Sequence, residues 1–535
     1  MKKISFKLYI AALGALVLSS CETDYLDVNN DPNNAYVEQL SPKELLRGAE
    51  MQAYRTQAGT VNRFGNVMMN AWAGNNYYYA GPFQEEYAMI ANSTFYNEIW
   101  DNYYVAIGNY DGVIKSPNAT IKYPHHVAIA RIMKTFYMQT IVDLYNDVPY
   151  SEAFQRQANT TPKYDKGKDI YKDLVSELDK AIAALSLPIG TATPVAASED
   201  PIMLGSSNSK KWIQFANTIK LRILVRLSKC TDPAMIALRN QLKTSLAPNA
   251  TTSYITSDVT IQPGYASGNA DQQNPLYRNF GKVDINTSQV NSNYRLVVAS
   301  KHIIDNLRGL APRTSGLLDN RAMGIFINNG LAQVGLADYT VVGYKGIEQG
   351  SNKDLNFLEG DFATLGPKMF YLSTAAGSIQ NGIVMSLSEA KLLQAEAALT
   401  YSEFAATLGD GQARFNEAIT DNFTFLGATN SAAYIASANA KINIGWTGTN
   451  DNKLAAIQYQ RWIALTNINP VETYIGYTKT GYPVTPMPIG ANNPDRPKRL
   501  MYPQSEYIAN SANVPNPQIS EMYSATSQYA PFWLK

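Results

Sequence analysis

The chain has 535 residues, of which 45 are basic and 44 acidic, so its net charge at pH 7 is +1. Binding to nucleic acid or another polyanion needs a strongly basic surface, and this balance argues against such a partner. Hydrophobic residues make up 45% of the chain, which is normal for a globular protein with a large core.

The first predicted element is a secretory signal. A basic start precedes the apolar stretch Leu8–Leu18, and Cys21 directly follows small residues, as in a bacterial lipobox. The apolar stretch is about half as long as the ~20 residues that a membrane-spanning helix needs. We therefore predict that residues 1–20 are removed and that Cys21 becomes the lipidated start of a tether over residues 21–40. An ordinary secretory signal with an incidental cysteine is the alternative.

Acidic residues dominate the start of this tether, in the segment Glu22–Asp27. Their position after the cysteine resembles the surface-export signal of Bacteroidetes lipoproteins, although a solvated tether has the same composition. Asp27–Asn33, with Glu38 at the twelfth position, partly matches a calcium-binding loop. Pro32 stands where the sharp turn of such a loop needs glycine, so we predict no metal site there.

Helical periodicity dominates the rest of the chain. Apolar residues recur every three or four positions, which predicts amphipathic helices with one buried face. In chain order, these segments are Leu45–Gln57, Tyr96–Val113, Ile129–Leu144, Ile170–Leu185, Trp212–Ile223, Leu387–Leu399, Phe415–Phe423 and Leu454–Leu465. Tyr123–Tyr145 with Asp169–Ala184, and Ser386–Tyr401 with Gln412–Phe425, form predicted helix pairs of the tetratricopeptide type.

Long irregular stretches separate these helices. They are rich in Gly, Pro, Asn and Tyr and comprise Leu187–Ser209, Ala247–Asn293, Ala311–Gly382 and Thr480–Lys535. Loops of this length in a compact domain are usually functional. We predict a single domain over residues 41–535, mostly α-helical, with function in the loops that cover a helical scaffold.

Cysteine and histidine are scarce. Cys230 has no partner once Cys21 is lipidated, and we predict that it is a buried, inert thiol. His125, His126 and His302 leave little for a histidine-based metal site or a Ser-His-Asp triad. His125 and His126 are predicted to begin a helix after Pro124. The sequence therefore predicts no cofactor and no metal.

The segment Trp72–Phe83 is the densest aromatic loop and the predicted ligand-binding site. Aromatic rings can stack on the flat C–H faces of sugars, and asparagine amides both donate to and accept from hydroxyl groups. The predicted ligand-binding residues are Trp72, Asn75, Asn76, Tyr77, Tyr78 and Tyr79. Packing of any single ring on the scaffold is an equally good interpretation. Second candidates are Tyr265, Tyr277, Phe280 and Tyr294, and third candidates are Tyr339 and Tyr344.

Five further segments, in a fixed order, carry a family resemblance. They are Asp143–Tyr150, with Asn146 in place of a usual glycine; Trp212–Asn217 with Leu221 and Arg222; Ser388–Ala397; Gln460–Leu465 followed by Thr480–Pro483, with Lys479 in place of a usual arginine; and Arg499–Pro503 with Glu506 and Tyr507. Together, behind a lipobox, they resemble the SusD/RagB-like nutrient-binding outer-membrane lipoproteins of Bacteroidetes.

This resemblance implies a fold and a function. The fold would be a right-handed scaffold of tetratricopeptide-like helix pairs, with long irregular segments packed over it and the early aromatic loop near the ligand. The function would be binding of oligomeric nutrients, glycans or peptides, at the cell surface and their delivery to a SusC-like TonB-dependent transporter. The family is not catalytic.

Two functions of other classes remain open at this stage. A glycoside hydrolase needs two carboxylates that face a cleft, and Glu85–Glu86 is the local candidate. A protein-assembly scaffold without a small ligand is the other alternative. Release of products from oligosaccharides would indicate the first, and a saturable soluble ligand would exclude the second.

Overall fold

The computed structural model describes residues 40–284, 287–328, 343–370 and 374–535. Predicted features at Cys21, along the tether, at the calcium-like segment and at Tyr339 lie outside these residues. The α-helices are α1 Pro42–Thr56, α2 Asn62–Met68, α3 Gln84–Ala88, α4 Glu98–Lys115, α5 Ala119–Lys122, α6 Pro124–Tyr145, α7 Gly167–Leu185, α8 Ser209–Arg226, α9 Pro233–Leu246, α10 Pro275–Phe280, α11 Ser292–Leu296, α12 Lys301–Leu307, α13 Ala322–Ile325, α14 Thr374–Ser378, α15 Leu387–Thr400, α16 Ser402–Leu408, α17 Gln412–Leu426, α18 Ser431–Asn439, α19 Asn450–Leu465, α20 Pro470–Thr480 and α21 Gln504–Ala509.

Shorter elements connect these helices. A π-helix, Gln57–Val61, joins α1 to α2. Short 3₁₀-helices lie at Arg156–Ala158, Ser206–Asn208, Leu227–Lys229, Ala247–Asn249, Ala270–Gln272, Pro312–Thr314, Glu359–Asp361, Ile519–Tyr523 and Phe532–Leu534. The strands are β1 Trp72–Gly74, β2 Val148–Pro149, β3 Tyr164–Asp165, β4 Val259–Ile261, β5 Val297–Ala299, β6 Phe326–Asn328, β7 Ala363–Leu365 and β8 Gly382–Met385.

The long helices pack in the succession that the sequence predicts. Helix α6 packs on α7, and α15 packs on α17, so both predicted helix pairs are confirmed. Further contacts join α1 to α4, α4 to α6, α7 to α8, and α8 to α15, and α15, α19, α20 and α2 continue the series. A mostly α-helical scaffold with tetratricopeptide-like pairs is therefore confirmed. Every helix in the described ranges is too short or too polar to cross a membrane.

Helix α6 lies at the centre of the scaffold. It begins at Pro124, as predicted, because proline at the first helical position has no amide hydrogen to leave unpaired. It contacts α1, α4, α7 and α8, so nearly all of its side chains are buried. Asn146 ends the helix at φ 67°, a left-handed conformation that glycine and asparagine tolerate best. This conformation explains why asparagine can replace the glycine usual at this position.

Charged residues of the family-like segments, among them Asp143, Glu396 and Lys479, pair with other charged residues inside the scaffold. The Arg226 guanidinium lies 3.0 Å from the Asp143 carboxylate and 2.7 Å from the Glu472 carboxylate, and all three are buried. Lys479 Nζ, on α20, lies 2.5 Å from the Glu396 carboxylate on α15. A buried charge is tolerated only when an opposite charge or hydrogen bonds compensate it. These segments therefore hold helices together, and their residue types follow from that role.

Short strands, which the sequence analysis did not predict, cover one region of the scaffold. Strands β1, β5, β7 and β6 form an antiparallel four-stranded sheet in that order. Trp72 pairs with Ala299 and Gly74 with Val297. Strands of two to four residues are too short to show an alternating pattern of burial, so their sequences carry no strand signal. The sheet holds the aromatic loop that follows β1.

Cys230 is buried, and its Sγ lies 3.6 Å from the carbonyl oxygen of Phe532 near the end of the chain. Burial raises the pKa of the thiol, which therefore carries little thiolate. The predicted inert thiol is confirmed.

Candidate functional site

Trp72 belongs to the protein core, so its prediction as a ligand-binding residue is wrong. Its side chain is 0% exposed, because β1 is covered on both faces. The indole packs edge-to-face on Phe280 and Phe370, with ring centroids 5.0 and 6.4 Å away. Its Nε1 donates a hydrogen bond of 2.7 Å to Asn467 Oδ1. No part of this ring is available to a ligand.

Asn75 is also buried, and its amide holds two loops together. Its Nδ2 donates to the carbonyl oxygen of Arg295 at 2.8 Å and to Glu359 Oε1 at 3.2 Å. Its prediction as a ligand contact is therefore wrong as well. Asn76 is half-buried and donates to the carbonyl oxygen of Ser351 at 2.9 Å. The buried Asn76 Oδ1 has no partner in the described ranges, and this residue lines a cavity of about 530 Å³ beside the loop.

The three consecutive tyrosines differ in exposure. The Tyr77 ring is half-buried against Phe362, and its hydroxyl donates to the carbonyl oxygen of Asp354 at 2.7 Å. Tyr78 is 37% exposed and lies under the Arg295 guanidinium, 4.3 Å from the ring centroid. Tyr79 is 60% exposed. Only Tyr78 and Tyr79 present large ring surfaces to solvent, so their role in binding stays a prediction.

Most of the other aromatic candidates are core residues. Tyr277 is buried, and Tyr294 is buried with its hydroxyl 2.8 Å from Thr364 Oγ1. Tyr344 is buried and donates to the carbonyl oxygen of Phe326 at 3.3 Å. These three predictions are wrong, because long loops of this chain fold back over the sheet and bury their rings. Phe280 and Tyr265 each line a cavity.

A further cavity lies beyond the end of the aromatic loop. It has a volume of about 630 Å³, within the range of small-ligand sites. The end of α1 and the π-helix line one side of it, and the start of α4 lines another. Helix α3 and the segments around Asn279 and Asn293 complete it. We call it the amide cleft, because six amide side chains line it: Gln52, Gln84, Asn97, Asn102, Asn279 and Asn293.

These six amide side chains have no hydrogen-bond partner among the residues that the structure describes. None of them makes a side-chain hydrogen bond within residues 40–284, 287–328, 343–370 and 374–535, whereas the side chains of Asn75 and Asn76 donate to backbone carbonyl oxygens. Each amide offers two donor hydrogens and one acceptor oxygen. A group of unpaired donors and acceptors in one concave surface can bind a ligand that is rich in hydroxyl or amide groups.

One wall of the cleft is rigid. The Arg63 guanidinium forms an ion pair of 2.6 Å with Glu86 and lies 4.7 Å from the Phe83 ring centroid. The Tyr96 hydroxyl donates to Glu86 at 2.9 Å. Burial and the charge of Glu86 raise the pKa of Tyr96 well above its ordinary value, so the hydroxyl remains a donor. Phe83 and Tyr96 both have positive φ, a costly conformation for bulky residues that is often found at functional sites.

The π-helix forms the floor of the cleft. Gln57 anchors it through a hydrogen bond of 2.9 Å to the carbonyl oxygen of Val384. Gly59 and Thr60 then face the cavity, and Thr60 Oγ1 donates to Glu98 at 3.0 Å. Inserted π-turns of this kind frequently accompany functional sites.

Sequence reasoning missed most of this cleft. Asn279 and Asn293 both lie within the irregular stretch Ala247–Asn293, which is rich in Asn and Gln, so composition could have indicated them. Asn97 and Asn102 lie within a predicted helix, where nothing distinguishes them from ordinary surface residues. Glu86, a candidate for the hydrolase carboxylate, forms an ion pair with Arg63 and accepts a hydrogen bond from Tyr96. Its neighbour Glu85 is exposed. Among the residues that the structure describes, no group of three His, Cys, Asp or Glu side chains could hold a metal ion.

Comparisons with known proteins agree with this fold. A chitin-binding SusD homologue from Flavobacterium johnsoniae is 20% identical, with a TM-score of 0.66 over 92% of this chain and 98% of its own. A SusD homologue from Bacteroides fragilis is 18% identical, with a TM-score of 0.69 over 93% of this chain and 100% of its own. A SusD homologue from Bacteroides uniformis is 20% identical, with a TM-score of 0.67 over 92% of this chain and 99% of its own.

At this level of identity, the structural similarity shows the fold alone. None of the curated proteins matches the chain with significant sequence similarity. The family model of SusD-like proteins, described as "starch-binding associating with outer membrane", matches residues 32–503. That match covers most of the sequence, so the chain belongs to the SusD-like family of outer-membrane-associated proteins.

Proposed function

We propose that this protein is a cell-surface lipoprotein that binds an oligomeric glycan in the amide cleft and delivers it to a SusC-like TonB-dependent transporter. The observation that carries the binding proposal is the set of six amide side chains, unpaired within the described part of the chain, around a cavity of about 630 Å³. Family membership supports a carbohydrate ligand, since the family is described as starch-binding and one structural relative binds chitin.

A carbohydrate matches the chemistry of the cleft better than an apolar ligand does. Sugar hydroxyls donate and accept hydrogen bonds, as amides do, and each neutral bond contributes about 0.5–1.5 kcal/mol net. Phe83 and Phe280 add limited apolar surface to the wall. The protein then acts as a binding protein and not as a hydrolase, because Arg63 and Tyr96 hold Glu86 in a fixed pairing.

The test is calorimetric titration of the mature protein with starch-derived and chitin-derived oligosaccharides. The double variant Asn102→Ala, Asn279→Ala should weaken the affinity about 5- to 100-fold, since it removes two to three hydrogen bonds. Its melting temperature should hardly change, because these side chains bond to no other group that the structure describes.

The matched control is Asn240→Ala on helix α9. Asn240 is exposed and does not line the cleft, so the affinity of this variant should equal that of the wild type. Unchanged affinity in the double variant would contradict this location of the site. Release of shorter products during the titration would favour the hydrolase, and the absence of any saturable ligand would favour the assembly scaffold.

The anchoring and the partner are tested in cells. Wild-type protein should be digested by protease added to intact cells and should co-purify with a large outer-membrane transporter after mild detergent extraction. Protection of the protein in intact cells would place it in the periplasm. Recovery of the lipoprotein alone, with the transporter present in the same cells, would argue against the partnership.

A further inference from the structure

A second pocket, lined by arginines, adjoins the amide cleft. It has a volume of about 410 Å³ and lies between α1, the segment that follows β4 and helix α10. Arg47, Arg55 and Arg278 line it, together with Tyr265 and a single acidic residue, Asp271. We call it the arginine pocket. Three guanidinium groups against one carboxylate give its lining a formal charge of +2 in a chain whose net charge is only +1.

The three arginines differ in how many hydrogen bonds and ion pairs they form with other protein groups. Arg47 donates to the carbonyl oxygens of Ser198 at 2.6 Å and Pro263 at 2.8 Å, which orients its guanidinium without neutralising it. Arg278 lies 2.7 Å from Asp271 in an exposed ion pair, which binds weakly. Arg55 forms no hydrogen bond and no ion pair with any residue that the structure describes. The pocket therefore holds more positive charge than its own residues balance.

The arginine pocket and the amide cleft share two lining residues. Arg55 and Asn279 line both cavities, so the unpaired guanidinium of Arg55 stands at the boundary between them. A ligand in the amide cleft can therefore extend past Asn279 and bring one of its groups against Arg55. The planar guanidinium binds carboxylate or sulfate groups through paired hydrogen bonds, which a neutral hydroxyl cannot provide.

We propose that the arginine pocket binds an acidic substituent, a carboxylate or a sulfate, of the glycan that occupies the amide cleft. This inference rests on the proposed carbohydrate function and narrows the substrate to acidic oligosaccharides. Arg55 supplies an unpaired guanidinium that binds the acidic group directly, and Arg47 supplies a positive charge in a fixed position. Arg278 leaves its ion pair with Asp271 and pairs with the ligand instead. The preference for acidic over neutral oligosaccharides arises because a neutral sugar offers Arg55 no opposite charge, so its guanidinium remains hydrated by water.

The experiment compares three probes of equal length by calorimetry: a neutral chitin hexasaccharide, a hexagalacturonate and a sulfated chondroitin hexasaccharide. The wild type should bind at least one acidic probe about tenfold or more tightly than the neutral probe, since charged hydrogen bonds are the stronger ones. Raising the salt concentration should weaken binding of the acidic probe and leave that of the neutral probe unchanged. The two acidic probes distinguish carboxylate from sulfate.

Two variants test the residues. Arg55→Gln should weaken binding of the acidic probe much more than binding of the neutral probe, and should so remove most of the preference for the acidic probe. The variant should fold normally, because Arg55 holds no other described group. Arg55→Lys should retain part of the preference, since lysine keeps the charge but loses the paired geometry. The control Lys210→Gln removes one exposed charge outside both cavities and should change neither affinity.

Several results would overturn the inference. One such result is that Asn102→Ala weakens the affinity for the neutral probe and that neither acidic probe binds more tightly than the neutral one. The acidic subsite would then be refuted, while the proposed function would stand. If no oligosaccharide of any charge binds, both are refuted. If hexaglutamate binds through Arg55 and neither acidic glycan does, the pocket recognises acidic peptides, and the assignment to a glycan is wrong.

Discussion

Removal of the Trp72 side chain should lower the stability of the folded protein, because this residue belongs to the core and not to the ligand site. The indole fills a fully buried position between Phe280 and Phe370, so Trp72→Ala should lower the free energy of unfolding by about 3–5 kcal/mol. Trp72→Phe keeps most ring contacts but leaves the buried Asn467 Oδ1 without its donor. The loss of this one hydrogen bond should lower the free energy of unfolding by about 1–3 kcal/mol.

The assay is urea denaturation followed by circular dichroism, which does not depend on the fluorescence of the replaced tryptophan. Tyr79→Ala is the matched control from the same segment, because its ring is 60% exposed and its removal should change stability by less than about 0.5 kcal/mol. If Trp72→Ala unfolds at the wild-type urea concentration, the burial described here is wrong. Loss of glycan affinity without loss of stability would restore Trp72 as a binding residue.

Four further predictions concern packing, charge and anchoring. Gly65→Ala would place a Cβ atom 2.4 Å from the backbone of Pro470 and should destabilise the α2–α20 contact by about 1–3 kcal/mol, measured by urea denaturation. Burial and a neighbouring carboxylate raise the pKa of Glu389 to about 7, so the folded state binds a proton that the unfolded state releases above about pH 4.5. The contribution of Glu389 to stability should therefore fall as pH rises from 4.5 to 7, so Glu389→Gln should lose less stability than the wild type over that range in denaturation series at several pH values. Burial and nearby cations lower the pKa of His302 to about 3, so its folded state resists protonation, and His302→Gln should lose less stability than the wild type as pH falls from 6.5 to 3. Cys21→Ala should abolish lipidation, which metabolic labelling with a fatty acid would detect, and a labelled variant would contradict the lipobox interpretation.

The sequence alone was sufficient to locate the helical scaffold, because a helix buries one face at a spacing of three to four residues. That spacing is local, so Ile129–Leu144 and Leu454–Leu465 could be assigned without knowledge of their neighbours. The family-like segments were also visible in the sequence, through their resemblance to a known family, and the structure shows that Asp143, Glu396 and Lys479 within or beside them form buried ion pairs. Cys230 was correctly predicted to be buried from its place at the end of a helix.

The tertiary structure alone decided which polar and aromatic residues are available to a ligand. Trp72 became a core residue because its short strand pairs with Val297–Ala299, far away in the chain, and no local pattern records such pairing. The amide cleft brings Asn102 and Asn279 together in the same way, from a helix and a loop whose sequences are separately unremarkable. Burial in a helix is a periodic property of the sequence, whereas convergence on a cleft depends on contacts between distant segments. The scaffold could therefore be predicted from the sequence, and the candidate site could not.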